Sequence, residues 1–169
     1  MIALAALLAG AAAANAVPIG SDSIACTADR GPAILANISG LKDRKGRLRL
    51  ELYPADKADF LKDDRDLIAE GKTFRRIWAD IPAHGAIAIC IRAPAPGRYA
   101  VVMIHDHDGA GKFDIWTDGV AVPSNRKIGR GKPSVAEAAI TVGDHVVVSD
   151  MRAQYLRGLG GFSPIPVKR

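Results

Sequence analysis

Short runs of alternating hydrophobic and polar residues recur along this chain of 169 residues. The clearest run is GRLRLELYP at residues 46–54, in which three leucines alternate with charged side chains. The leucines are Leu48, Leu50 and Leu52, and the charged residues are Arg47, Arg49 and Glu51. Because successive side chains of a strand point to opposite faces, this pattern predicts a β-strand with one face in the core and the other in solvent.

Further strands are predicted where comparable apolar runs are bounded by turn-forming residues. These runs are residues 33–40, 73–82, 86–94, 98–106, 135–143 and 144–155. The run 98–106 is apolar almost throughout, which is typical of a central strand. About seven strands with almost no helix predict an all-β fold, namely an antiparallel β-sandwich of the immunoglobulin-like kind with long loops.

Three segments lack strand periodicity. Residues 58–72 predict a long loop with one or two helical turns, and residues 117–134 predict a long loop. The Gly- and Pro-rich residues 154–169 predict an irregular C-terminal tail. No repeat or second domain is evident, so we expect a single sandwich domain over residues 17–153.

The first sixteen residues, MIALAALLAGAAAANA, carry no charged side chain and end in Ala14-Asn15-Ala16. A short apolar segment that ends in a small-x-small motif is typical of a signal peptide, and it is too short to span a bilayer. We therefore expect a mature chain that begins near Val17, lies in the periplasm or is secreted, and has no integral membrane span. A buried alanine-rich helix is the alternative interpretation.

The chain contains two cysteines, Cys26 and Cys90. An even number of cysteines in an exported protein predicts a disulfide bond, and the alternative is a pair of buried free thiols. The spacing excludes a CxxC redox motif.

The formal charge is +5 and the isoelectric point is about 9.4. A basic exported protein can associate with anionic envelope polymers or lipid headgroups, although the same charge is also typical of an ordinary solvated surface. Nucleic acid is not expected as a partner, because aromatic residues make up 5% of the chain and no basic helix is evident.

The segment IHDHDGAGKFDIW, residues 104–116, combines three aspartates with two glycines that permit a tightly curled loop. Calcium binds about six to eight oxygens, often from a loop with carboxylates at alternating positions. The predicted ligands are the side chains of Asp106, Asp108 and Asp114 and the backbone carbonyl of Lys112. Ala110 supplies no side-chain oxygen, and Thr117 stands where the last carboxylate would be, with Asp118 next to it. The segment therefore predicts at most a low-affinity Ca²⁺ site, and no other cofactor.

The histidines of the same segment allow a second interpretation. His105 and His107 share one face of an extended chain, as ligands of Zn²⁺ or Cu²⁺ would. A third ligand is needed, and His84 and His145 are remote candidates.

A third interpretation involves no metal. Asp side chains accept backbone N–H bonds in turns, so Asp106 and Asp114 would brace a hairpin, with Lys112 partly neutralising their charge.

The run PGRYAVVMIHDHDGAGKFD resembles a bacterial exported family known as domain of unknown function 2141. The resemblance begins with a G-x-YA strand and continues through an HDxNxNGxxD-like loop to a PxxxxA strand, over residues 33–148. The matching residues are Gly97, Tyr99, Ala100, His105, Asp106, Asp108, Gly111, Lys112, Asp114, Pro133 and Ala138. Ala110 departs from the pattern. The resemblance implies a periplasmic or secreted sandwich of transthyretin-like or carboxypeptidase-regulatory-like topology, without an enzymatic activity.

The functional expectation is an exported, non-catalytic domain that binds an envelope polymer or a protein partner. Its predicted contact surface consists of the loops at residues 106–114 and 117–134. The sequence contains neither a GxSxG motif nor a Gly-rich phosphate loop. Two alternatives stay open: an accessory or hydrolytic protein acting on envelope polysaccharide through Asp106 and Asp114, and a Ca²⁺-stabilised adhesion-type module.

Overall fold

Eleven strands, three short α-helices and one 3₁₀ helix at Gly158–Gly160 lie within residues 16–166, the part of the chain that the computed structural model describes. The strands are β1 (Pro18–Ile19), β2 (Ala33–Ser39), β3 (Arg47–Pro54), β4 (Arg75–Asp80), β5 (Ile87–Arg92), β6 (Gly97–Asp106), β7 (Gly119–Ala121), β8 (Ala139–Val142), β9 (Val146–Arg152), β10 (Gln154–Leu156) and β11 (Phe162–Pro164). The helices are α1 (Ser23–Thr27), α2 (Asp64–Ala69) and α3 (Val135–Ala138). The predicted signal peptide lies, apart from Ala16, outside the described residues.

The strands form two sheets in a sandwich-like arrangement. The larger sheet has the order β11-β10-β7-β6-β3-β4, with β8 also paired to β6, and all its pairs are antiparallel. The smaller sheet has the order β1-β5-β2-β9, and its outer pairs, β1 with β5 and β2 with β9, are parallel. The all-β class is confirmed, whereas the count of about seven strands and the purely antiparallel pairing are wrong. The finer likeness to immunoglobulin or transthyretin domains stays a prediction.

The main core lies between the two sheets. Leu48, Leu50 and Leu52 of β3 are fully buried there, as the alternation predicted. Apolar residues of β5 and β6 complete this layer, among them Ile89 and Met103. Fully burying a Leu or Ile side chain contributes roughly 1.5–3 kcal/mol, so this layer is the principal source of stability.

The outer face of the seven-stranded sheet is also covered. A second apolar cluster contains Tyr53, Val102, Val120 and Phe162 from the sheet and Leu67 from α2. The charged face of β3 therefore lies beneath this layer: Arg49 is 8% exposed and Glu51 is 2% exposed. The prediction that this face is in solvent is wrong, because alternation shows which residues share a face and not what covers that face.

Cys26 and Cys90 form a disulfide that ties α1 to β5, with their Cα atoms 6.1 Å apart. The predicted disulfide is thus present. By chain entropy, closing a loop of this length contributes up to about 4 kcal/mol.

Two segments are more regular than predicted. Residues 117–134 contain β7. The side-chain amide of the buried Gln154 fixes the rest of this segment through two hydrogen bonds. Its Oε1 accepts from the Ile128 N–H at 3.0 Å, and its Nε2 donates to the Arg126 carbonyl at 2.6 Å. The tail predicted to be irregular forms β10 and β11, which pair with each other. The helical turn predicted within residues 58–72 is confirmed as α2.

Within residues 16–166, none of the helices is both long enough and apolar enough to cross a membrane.

Candidate functional site

The acidic loop, residues 106–118, joins β6 to β7 as the connection of a β-hairpin. Its first residue, Asp106, ends β6 directly opposite Arg47 of β3. The two side chains form an ion pair, with Arg47 Nε 2.9 Å from Asp106 Oδ2. Asp106 is almost completely buried and also accepts from the Gly111 N–H at 3.2 Å. A buried carboxylate with these partners fixes the start of the loop.

Asp118 closes the acidic loop. Its side chain is 1% exposed, and both of its oxygens accept hydrogen bonds from the loop. Oδ1 accepts from the His107 N–H at 3.0 Å and from the Thr117 hydroxyl at 3.2 Å, and Oδ2 accepts from the Asp114 N–H at 3.0 Å. The sequence pattern placed this residue beside the last calcium position but gave it no role. Its burial at the end of the hairpin was not visible in the sequence.

The other two aspartates of the loop cap local turns. Asp108 Oδ1 accepts from the Ala110 N–H at 2.9 Å, and Asp114 Oδ1 accepts from the Trp116 N–H at 2.8 Å. These are the side-chain-to-backbone bonds by which Asp stabilises turns. The side chains of Asp106 and Asp114 thus brace the loop as the metal-free interpretation predicted, and Asp108 and Asp118 accept bonds of the same kind. Arg47, not the exposed Lys112, forms the ion pair with Asp106.

Three of the carboxylates converge within the loop. Asp106, Asp108 and Asp118 each place one carboxylate oxygen so that the three atoms lie within 4.8 Å of one another. Asp114, which was among the predicted ligands with Lys112, does not belong to this group. A hard cation there would share its ligands with the Arg47 guanidinium and with several backbone N–H groups, so the carboxylates already have partners in the protein.

The two histidines of the segment have structural partners. The fully buried His105 donates from Nε2 to the Lys45 carbonyl at 2.7 Å, and its Nδ1 accepts from the Tyr155 hydroxyl at 2.6 Å. The Lys42 N–H donates in turn to that hydroxyl at 3.1 Å. Burial lowers the pKa of His105 and raises that of Tyr155, so both side chains are neutral in this chain of hydrogen bonds.

His107 pairs with Asp43, with Nε2 3.0 Å from Oδ2. Burial opposes the ionisation of Asp43, but the Lys45 N–H and His107 hold the pKa of its carboxyl below the usual range. Both ring nitrogens of His105 therefore have protein partners, and the interpretation of His105 and His107 as ligands of Zn²⁺ or Cu²⁺ stays a prediction. His145 instead contacts Asp29, and the exposed His84 joins none of the metal-competent groups in the described part of the chain.

A pocket of 590 Å³ opens above the outer face of the seven-stranded sheet, next to the acidic loop. We call it the outer pocket. Its walls are mainly apolar and come from β6, β7, β11 and the loops that follow β6 and β7. The apolar lining includes Val102, Ile104, Phe113, Ile115, Val120, Ile128 and Phe162.

The side of the pocket formed by β3 and β4 carries a buried charge network. Glu51 lies opposite both Val102 of β6 and Arg76 of β4 in the strand register. Its Oε1 lies 2.6 Å from Arg76 Nε and 3.2 Å from Arg49 Nε, and its Oε2 accepts from the Tyr53 hydroxyl at 2.8 Å. Burial raises the pKa of Tyr53, which keeps this hydroxyl a hydrogen-bond donor.

The acidic loop shapes the mouth of this pocket. Arg49 Nη1 donates to the Gly111 carbonyl at 2.8 Å, and Arg47 Nη2 donates to the Gly109 carbonyl at 3.1 Å. Gly111 has φ +80°, a conformation that side-chain-bearing residues rarely adopt. Directly after this turn, the half-exposed Phe113 lines the pocket and its ring lies 6.1 Å from that of Phe162. The braced loop therefore holds one apolar wall in place.

Sequence reasoning did not identify the outer pocket. Its residues come from strands and loops between residues 49 and 162, and their proximity depends on strand pairing that local patterns do not reveal. One signal was present: Phe113, Ile115 and Trp116 form an apolar group inside a polar loop, and all three are exposed. Exposed apolar residues that cluster at a concave surface often mark a binding site.

A family model described as "Uncharacterized protein conserved in bacteria (DUF2141)" matches residues 36–149. The resemblance inferred from the strand and loop motifs is thereby confirmed. Searches of curated proteins and of solved structures return no match.

Proposed function

Because the chain belongs to the bacterial family described as DUF2141, for which that description states no activity, we propose a function from its own geometry. The protein is an exported, non-catalytic domain that binds a small molecule with an apolar body in the outer pocket. The observation that carries this proposal is the pocket of 590 Å³ with mainly apolar walls. Ligand sites typically have about 300–1,000 Å³ and combine apolar walls with a few fixed polar groups.

Export is supported by the Cys26–Cys90 disulfide, because such bonds persist in oxidising compartments. The predicted signal peptide at residues 1–16 agrees with this location. Expression of the full chain in a bacterial host tests it: we expect an extracytoplasmic protein whose mass corresponds to a start near Val17. A cytoplasmic product of full length would contradict the proposal.

The non-catalytic assignment is supported by the state of the carboxylates. Asp106 is bonded to Arg47, and Asp114 caps a turn, so the pair proposed for polysaccharide hydrolysis is engaged in the structure of the loop. In the outer pocket, Glu51 is shared between Arg49 and Arg76. The envelope polymer or protein partner predicted from the sequence stays a prediction, and so does the adhesion-type module.

Binding is tested with Nile red, a neutral dye whose fluorescence rises in apolar surroundings. We expect saturable binding to the wild-type protein. Ile115→Asp places a charge on the half-exposed rim of the pocket and should weaken binding about tenfold or more, since burying an aliphatic side chain contributes roughly 1.5–3 kcal/mol.

The matched control is Ile24→Asp, a change of the same kind at an exposed position on α1. It should leave dye affinity unchanged. Both positions are exposed, so both variants should fold, which circular dichroism checks. Absence of saturable binding to the wild type, or equal losses in the two variants, would contradict the proposal.

A further inference from the structure

We infer that the ligand of the outer pocket is a single-chain amphiphile with an anionic carboxylate or phosphate head, an inference that rests on the proposed binding function. The charged side chains that line the pocket differ in whether the protein already supplies a partner of opposite charge.

Most of these charges are compensated within the protein. Arg76 contacts both Glu51 and Asp64, and Arg49 contacts Glu51, so these two cations and two carboxylates form a neutral group. The remaining lining carboxylate, that of Asp63, contacts Arg65, and Lys62 contacts Glu70.

Two lining cations lack such a partner. Arg130 and Lys132 are exposed, and no carboxylate of residues 16–166 lies within 4.0 Å of either. Arg130 donates from Nε to the Leu159 carbonyl at 2.6 Å, which orients the guanidinium without neutralising it. The pocket therefore carries two uncompensated positive charges, and an anionic group is the complementary ligand.

The backbone near these cations is fixed. Gly129 pairs with Phe162 as an isolated bridge, with N–O distances of 3.0 and 2.6 Å. The contact requires glycine at Gly161, where φ is +73° and a Cβ would lie 2.1 Å from the Gly129 carbonyl. Arg130 thus follows directly on a backbone anchored to Phe162, which is itself part of the apolar wall.

The apolar part of the lining, formed by strands of the sheet, specifies the other end of the ligand. Val102, Ile104 and Val120 offer no hydrogen-bonding side chains, so a polar molecule such as a sugar would lose its hydration there without compensation. An aliphatic chain makes no hydrogen bonds with water that it would have to give up, and burying its apolar surface in the pocket is favourable. Apolar walls with uncompensated cations at the rim are complementary to an amphiphile whose charge stays at the mouth.

Displacement of Nile red measures the preference of the wild-type protein for charge. Dodecanoate and dodecyl phosphate supply the two anionic heads, and dodecanol supplies the same chain without charge. We expect both anions to bind about tenfold more tightly than dodecanol at low salt, and the difference to shrink as salt is added. A difference between the two anions identifies the preferred head.

The variant Arg130→Gln with Lys132→Gln should lose this preference and keep its affinity for dodecanol. The matched control is Lys57→Gln with Arg98→Gln, which removes the same charges at exposed positions outside the pocket and should keep the preference. If wild type binds dodecanol as tightly as the anions, or the control loses the preference equally, the inference fails while the binding function stands. If none of the four probes binds, both fail.

Discussion

The acidic loop and the outer pocket are neighbours that differ in how far their polar groups are satisfied. The loop contains four aspartates within thirteen residues, and every one of them accepts a hydrogen bond from the protein. The pocket has mainly apolar walls, and its cations Arg130 and Lys132 have no carboxylate partner in the described part of the chain. A dense cluster of charges can thus be satisfied entirely within the protein, whereas two cations beside an apolar wall have no carboxylate partner among the described residues.

The two regions are also mechanically linked through one strand. Arg47 and Arg49 of β3 donate to carbonyls of the loop, and Arg49 also contacts Glu51 beneath the pocket. Both guanidinium groups lie over the Trp78 ring, at 4.0 and 5.3 Å from its centroid. The charged side chains of β3 therefore hold both the acidic loop and the floor of the outer pocket in place.

Removing the buried carboxylate beneath the pocket should have the largest effect on stability. Glu51→Gln leaves Arg49 buried without its partner, and breaking a buried ion pair typically costs about 3–5 kcal/mol. The control is Glu70→Gln, which removes an exposed partner of Lys62 and should cost less than about 1 kcal/mol. Urea unfolding measures both, and equal losses would contradict the distinction between buried and exposed pairs.

Asp118→Ala should lower the free energy of unfolding somewhat less than Glu51→Gln does, by about 3 kcal/mol. The reason is that it removes the acceptor of three hydrogen bonds at a buried position. Asp108→Ala removes one turn-capping bond at an exposed position and should cost under about 1 kcal/mol. The same unfolding experiment measures the two variants. Similar losses would mean that Asp118 does not close the loop as its contacts indicate.

Acidification should weaken the fold by a smaller amount through His105. Burial makes the pKa of His105 lower in the fold than the ordinary histidine value of 6.5, so the unfolded chain takes up the proton more readily. This contribution to stability is present above about pH 6.5 and is lost progressively as the pH falls below that value. Unfolding at a series of pH values measures the slope.

Matched histidine variants assign this slope. His105→Gln should flatten the pH dependence of stability below about pH 6.5, whereas His84→Gln, at an exposed position, should leave it unchanged. A slope that persists in His105→Gln would show that other groups govern the acid response.

The strands were predictable from sequence because their signal is local. Alternation identified β3 with its core-facing leucines, and continuous hydrophobicity identified β6. The parallel pairing of β2 with β9 was missed, since the two strands lie more than a hundred residues apart and a periodic pattern carries no information about which strand is its neighbour. The short strands β7 and β11 were missed because three residues are too few to show a period.

The site was predictable only in its most conspicuous part. The spacing of Asp106, Asp108 and Asp114 identified the loop in which carboxylates converge. The third member of the group is Asp118, however, where the sequence predicted Asp114. Which aspartate joins the group depends on the residue at which the hairpin closes, and the register between β6 and β7 determines that residue. The partners that decide whether a carboxylate is available, above all Arg47, come from another strand.

Calcium gives the smallest expected effect and tests the comparison most directly. Asp106, Asp108 and Asp118 converge within 4.8 Å, but Arg47 already neutralises Asp106 and backbone N–H groups occupy the other carboxylates. A ligand that binds only the folded state raises stability in proportion to RT ln(1 + [L]/Kd). We therefore expect the melting temperature to be the same in millimolar Ca²⁺ and in chelator.

Arg47→Gln removes the competing cation, and Ca²⁺ should then restore part of the stability lost in that variant. A clear rise of the wild-type melting temperature with Ca²⁺ would mean that the loop is a cation site whose carboxylates exchange their protein partners for the ion.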